Sequence, residues 1–166
     1  SNSSIEGIMM YLIMYLFMNL GAFFVVIYVN DQVGGEEFSS FDGLGWKMPY
    51  VAIPMTLFMV ALTGLPPTAG FIGKFYIFAA VIESGSRFYW LAFVGVINSV
   101  ISLYYYIRVV KHMYLSGERS DEFINPSSKL VLGILLVLAV PSFVFGWYFS
   151  PIADWVSRST IMFQGM

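Results

Sequence analysis

Four stretches of this chain, residues 7–30, 48–73, 88–107 and 130–153, contain no Asp, Glu, Lys or Arg. Each is long enough for the ~20 residues with which a helix crosses bilayer hydrocarbon. Inside that hydrocarbon only helices and closed barrels satisfy every backbone polar group. The 166 residues are 58% hydrophobic and only 11% charged, against roughly 25% charged in a soluble domain. A soluble helical core would need polar faces that these stretches lack. The expectation is therefore an all-α, polytopic membrane protein with four transmembrane segments, at about 7–30, 50–83, 88–109 and 130–149. Residues 1–150 make up the membrane domain. Residues 151–166 read as an amphipathic C-terminal tail on the surface, with Asp154 and Arg158 one turn apart.

The second segment is too long to be one straight helix. Its apolar run to Ile82 would extend ~50 Å and overshoot a ~30 Å core. Gly64, Pro66, Pro67 and Gly70 mark where it breaks: each proline lacks an amide donor, and Pro67 also bars Pro66 from helical backbone. Two half-helices follow, at about 50–63 and 71–82. Irregular backbone at that depth is tolerated only inside protein or beside a hydrated cavity.

Lys74 stands just past that break, a lone charge in an apolar segment. An ionisable group within a span is a functional candidate by default, because holding it there is costly unless water or a partner meets it. Desolvation favours its neutral form, and water access lets it exchange protons. The free amides that open the second half-helix, at residues 70–73, disfavour a cation beside them. A packing salt bridge to another helix is the structural alternative for Lys74. Asn98, Ser102 and Tyr105 in the third span fall at spacings of four and three and can share one face, either a helix contact or part of a wet channel. Asn19, beside Gly21 and Ala22 in the first span, suits a close helix contact.

Other chemistries find little footing. The chain has no Cys and one His, which removes disulfides, thiolate metal sites and iron–sulfur ligation and leaves little for any metal site. Gly70-Phe71-Ile72-Gly73-Lys74 lacks the Walker spacing and a following Ser or Thr. A net charge of −2 without a dense basic patch excludes a nucleic-acid partner. His112 reads as an interface residue able to pass protons to bulk water. Lys47, Arg108, Lys111, Arg119 and Lys129 flank the ends reached after spans one and three, while Arg87 and Arg158 lie on the other side. Positive-inside bias then places loops 31–47 and 111–129 in the cytoplasm and both termini outside. The start, Ser1-Asn2-Ser3-Ser4, carries no signal-peptide pattern, and the missing Met reads as a processed end or a piece of a longer chain.

The run Leu65-Pro66-Pro67-Thr68-Ala69-Gly70-Phe71-Ile72-Gly73-Lys74-Phe75 resembles the C-terminal discontinuous helix of the antiporter-like membrane subunits of respiratory complex I, the subunit N family above all. Tyr15-Leu16-Phe17-Met18-Asn19-Leu20-Gly21-Ala22-Phe23 and Val94-Gly95-Val96-Ile97-Asn98-Ser99 extend the likeness. The resemblance implies the last four helices of a subunit with about fourteen, built on inverted repeats, and a proton-translocating part of NADH:quinone oxidoreductase in the bacterial inner membrane. Lys74 matches that family's lysine in the broken helix, and Thr68, Asn98, Ser102, Tyr105 and His112 become candidates for proton transfer around it. Partners would be the other membrane-arm subunits, adjacent antiporter-like and small ones included, and lipids. NADH, FMN, iron–sulfur clusters and quinone would belong to partner subunits, with no cofactor in this chain. A cation/proton antiporter or membrane-bound hydrogenase subunit, and a structural scaffold, are the alternatives.

Overall fold

The structure is a computed structural model that describes residues 2–117 and 123–162. Glu118, Arg119, Asp121 and Glu122 of the second loop, and the last four residues of the tail, lie outside the described residues. The described chain is helical: α1 (Asn2–Val33), α2 (Leu44–Lys47), α3 (Pro49–Thr63), α4 (Ala69–Glu83), α5 (Tyr89–Leu115), α6 (Lys129–Trp147) and α7 (Ser150–Met162). Short 3-10 turns at Phe38–Phe41 and Ser86–Phe88 complete it. Three helical segments, Ile5–Val33, Ser86–Leu115 and Lys129–Trp147, are long and apolar enough to cross a membrane. By length and composition a fourth crossing could be the pair Phe38–Lys47 and Pro49–Thr63, bent by 119°.

Packing assigns that fourth crossing to α3 and α4. Each has 15 residues, ~22 Å of helix and too short alone for a ~30 Å core. Both lie antiparallel along α1, one after the other. Tyr50 meets Tyr28, and Phe58 sits on Gly21. Further along, Gly70 faces Met18, Gly73 faces Tyr11 and Met14, and Tyr76 and Ala80 cover Gly7. Contacts that run in register down a single helix are those of one discontinuous span. The Phe38–Lys47 segment instead belongs to the loop, where it carries Asp42 and Lys47 and meets the end of α5.

α1 is the spine of this arrangement. Met10, Met14, Met18, Val25 and Val29 are each at most 1% exposed; their spacings of four and seven build one stripe, and unbranched methionine fills the irregular gaps beside α3 and α4. Gly21 lets the fully buried Phe58 lie against the α1 backbone, where any Cβ would strike the ring. In contrast α5 buries only Ser102 and Met113, so most of its apolar surface faces outward.

The two loops expected on one side do meet. The Gly43 amide donates to the His112 carbonyl at 3.2 Å, and the Ile124 amide to that of Lys47 at 2.9 Å. The Ser127 amide donates to the Tyr28 hydroxyl at 3.1 Å. α5 runs past the expected end near residue 109 to Leu115, and His112 lies in its last turn, where a cation is favoured. Pro141 lies within a continuous α6. α7 packs back on α1: Val156 and Thr160 are buried, and Thr160 Oγ1 lies 3.2 Å from Glu6 Oε1.

Candidate functional site

α3 stops where Gly64 adopts φ 85°, ψ 37°, a left-handed conformation that glycine enters without a Cβ penalty. A helix end leaves four carbonyls without intrahelical partners, and all four can be traced. The Gly64 amide reaches Val60 and Ala61, and the Leu65 amide reaches Val60 at 3.3 Å. The remaining two are taken by Lys74, whose Nζ donates to Leu62 O at 3.1 Å and Thr63 O at 2.8 Å. Lys74 therefore leaves α4, turns back across the break and caps α3.

This geometry revises the electrostatic expectation. The amides at the start of α4 do not set the lysine's surroundings; its ammonium sits against the carbonyl end of α3, where partial negative charge favours a cation. Among the described residues no carboxylate lies within salt-bridge distance of Lys74; the ion pair found there is His112 with Asp42. Within the described residues, Lys74 is held by main-chain carbonyls.

Between the half-helices, Pro66 and Pro67 supply no amides, and their peptide bond is cis. Thr68 is 2% exposed and its hydroxyl donates to Leu65 O at 2.7 Å. The Phe71 amide then starts α4 by donating to Thr68 O at 3.1 Å. Gly70 abuts the Ala61 carbonyl and Met18, and Gly146 of α6 abuts the Pro67 carbonyl. Main chain thus packs on main chain, and α1 and α6 wall the break on two sides.

Its third side opens toward α5. A cavity of about 280 Å³ lies between Lys74, Gly64, Phe75 and Phe78 on one wall and Val96, Ser99 and Leu103 on the other. A space of that size has room for several waters at ~30 Å³ each, and its lining is largely apolar. Its polar groups are few: the Lys74 ammonium, the Thr63 carbonyl region and Ser99.

The other candidates scatter from this centre. Gly64 and Lys74 are in contact, since a Cβ on Gly64 would lie 2.8 Å from Lys74 Cδ. Ser102 is buried and donates to Ser99 O at 2.8 Å, whereas Asn98 and Tyr105 are exposed. None of those three lines the Lys74 cavity. Ser99, one residue away from the expected face, does line it, as α5 is rotated relative to the expected contact. Asn19 donates to Tyr15 O at 3.3 Å within its own helix. His112 stands at the loop end, its Nδ1 2.5 Å from Asp42 Oδ1 and its ring stacked on Phe38, remote from the break. Asp42 and the Leu62 and Thr63 carbonyls did not emerge as individual partners from the sequence. Their only signal was general, a helix that must end inside the membrane with carbonyls to satisfy. Among the described residues no group of three or more His, Asp or Glu is placed to hold a metal ion.

The family described as NADH:quinone oxidoreductase/Mrp antiporter, transmembrane, matches residues 1–102. The chain is similar to NADH-quinone oxidoreductase subunit N 2 of Sorangium cellulosum, 48% identical across 99% of this chain and 33% of the relative. It is also similar to subunit N 2 of Chloroherpeton thalassium, 42% identical over 89% of this chain and 29% of the relative. Subunit N of Anaeromyxobacter sp. is 38% identical over 99% of this chain and 33% of the relative. The chain thus spans about a third of the length of the curated relatives it matches. A chain with three apolar crossings, a further broken one and these relatives belongs to the NADH:quinone oxidoreductase/Mrp antiporter transmembrane family, within which its similarity lies with subunit N.

Proposed function

We propose that this chain is the C-terminal part of a proton-translocating subunit N of NADH:quinone oxidoreductase, with Lys74 as a protonatable relay on a hydrophilic axis. The observation that carries the reading is the cap: a half-buried ammonium held by two carbonyls of the broken helix, beside a cavity and without a carboxylate among the described residues. Such a group can give up a proton without leaving a buried carboxylate unpaired, because its partners are neutral. The neutral amine keeps N–H donors for the same carbonyls, so the site survives both protonation states. Proton exchange would use water in the cavity and Ser99, with Thr68, Ser102, Asn98 and Tyr105 further out and His112 at the loop end.

In this reading residues 1–150 are the last four of about fourteen helices, arranged as inverted repeats, and residues 151–166 are the tail. Loops 31–47 and 111–129 face the cytoplasm, and both ends of the segment face the outside of the bacterial inner membrane. Partners are the other membrane-arm subunits and lipids. NADH, FMN, iron–sulfur clusters and quinone reside in partner subunits, so this chain contributes to a redox-driven translocase without a redox centre of its own.

The test is Lys74→Ala and Lys74→Arg in the intact enzyme, with protons pumped per NADH measured in vesicles. The alanine variant should lose pumping stoichiometry or coupled turnover, and arginine, which stays charged, should not restore it. Normal stoichiometry and turnover in Lys74→Ala would sink the proposal. A cation/proton antiporter subunit is the second reading, favoured by the Mrp antiporters in the matching family's description. Sodium-dependent proton exchange in vesicles without the respiratory partners would select it.

A further inference from the structure

The buried side chains of α6, Val131, Leu135, Ala139 and Ser142, recur at helical spacing, and Gly146 falls four residues further along the same stripe. The Ser142 hydroxyl donates to Leu138 O at 2.9 Å, so it is satisfied within α6. Phe145 stands edge-on to Phe17 of α1 with ring centroids 6.2 Å apart, and Phe149 stands likewise to Tyr76 of α4 at 6.0 Å. These two contacts seat the turn that carries Gly146.

At Gly146 the stripe meets main chain. A Cβ there would collide with the Pro67 oxygen and lie 2.6 Å from the Thr68 carbonyl carbon. The Gly146 Cα–H is therefore aimed at the Pro67 carbonyl, as in the Cα–H···O contacts that recur between closely packed helices. Pro67 and Thr68 lead directly into α4, and Lys74 follows Thr68 within two turns of helix. The first turn of α4 is also fixed from the side of α3, where Gly70 abuts the Ala61 carbonyl.

We propose that Gly146 is a positioning residue for Lys74: by admitting the Pro67 carbonyl against the α6 backbone, it sets where α4 begins and brings Lys74 within reach of the Leu62 and Thr63 carbonyls. Its effect on the cap rests on the contacts of the break, and its effect on pumping rests on the reading of Lys74 as a relay. A side chain at residue 146 pushes Pro67 and Thr68 away from α6 by on the order of 1 Å before ordinary contact is restored. The Lys74 bonds of 3.1 and 2.8 Å leave little slack for such a shift. Gly133 of the same helix differs, since a Cβ there meets nothing within 4 Å.

The experiment uses the full-length protein in its native complex, in inverted membrane vesicles. The unaltered protein and the variants Gly146→Ala, Gly133→Ala and Phe145→Leu are treated with a membrane-permeant amine-acylating reagent. Labelling of Lys74 is followed by mass spectrometry against the loop lysines Lys111 and Lys129, and protons pumped per NADH are measured in parallel. Gly146→Ala should label Lys74 about tenfold faster than the unaltered protein, because one bond from a charged donor is worth about tenfold or more. Gly133→Ala should match the unaltered protein. Phe145→Leu loosens the same turn of α6 without adding an atom and should shift labelling in the same direction, which decides the question if Gly146→Ala does not assemble. Unchanged Lys74 labelling in assembled Gly146→Ala overturns the proposal, as does unchanged labelling in Phe145→Leu where the alanine variant fails to assemble. An equal rise at Lys111 and Lys129 also overturns it, since the whole fold would then have loosened. Faster labelling of Lys74 alone, with normal pumping, upholds the positioning role and counts against the relay reading.

Discussion

Gly70→Ala probes the contact that holds the two half-helices together. Gly70 is buried in the first turn of α4, and a Cβ there would collide with the carbonyl oxygen of Ala61 at the end of α3. Both groups are anchored to main chain, so no change of rotamer relieves the clash. α4 has to withdraw by on the order of 1 Å to restore ordinary contact. The Leu62 and Thr63 carbonyls follow Ala61 directly, and their bonds to Lys74 are 3.1 and 2.8 Å long, so a displacement of that size carries them toward or past hydrogen-bond range. Overpacking of this kind costs about 1–3 kcal/mol. Losing one bond to a charged donor adds about 1.5–3 kcal/mol, discounted because Lys74 is only half-buried. Its flexible stem can follow part of the movement, so a single bond is counted and the expected loss is ~3 kcal/mol. Gly133→Ala is the control. It lies in α6 with nothing within 4 Å of a new Cβ, and alanine gains ~1 kcal/mol of helix propensity over glycine. Thermal unfolding of the full-length protein in detergent, with amide exchange at Gly64, should show Gly70→Ala destabilised and the Gly64 amide exposed, and Gly133→Ala unchanged or stabilised. Equal midpoints and equal exchange in the two variants would refute the reasoning.

Two further substitutions test the loop end. Asp42→Asn removes the charge that meets His112; a partly exposed pair contributes about 1 kcal/mol or less, so amide exchange at Gly43 should quicken several-fold. Unchanged exchange would mean that the pair does not hold the loop. Tyr28→Phe deletes the hydroxyl that accepts from the Ser127 amide and lies 3.3 Å from that of Tyr50. The expected cost is ~1 kcal/mol, read as faster exchange at Ser127 with α1 protection intact, and no change at Ser127 would exclude that anchoring role.

Much of this organisation is legible in the sequence because the membrane imposes a one-dimensional rule. Where charges are absent for ~20 residues a helix can cross, and the break around Pro66 and Pro67 follows from missing amides and restricted backbone. The described ends of α3 and α4, Thr63 and Ala69, bracket the expected interruption closely. Lys74 stood out for the same reason, as a charge where none is expected. The partners of Lys74 were less legible. Helical spacing relates Asn98, Ser102 and Tyr105 to one another, but it carries no information about how α5 is rotated toward α4, and Ser99 faces the cavity instead. Asp42 and His112 are far apart in the chain, and only the return of α5 to the first loop brings them together.

The sequence by itself determined that this chain crosses a membrane several times, that its second crossing is discontinuous, and that one lysine stands beside the discontinuity. Those properties are local, set by apolar run length, by proline and by the cost of charge in hydrocarbon. Tertiary structure alone decided which end of which half-helix the lysine serves. The Gly64 turn uses the Val60 and Ala61 carbonyls and leaves those of Leu62 and Thr63 open, and the contact of Gly70 with Ala61 brings α4 close enough for Lys74 to reach them. A charge that the sequence marks as costly is thereby met by backbone whose own hydrogen bonds the break had left unmade.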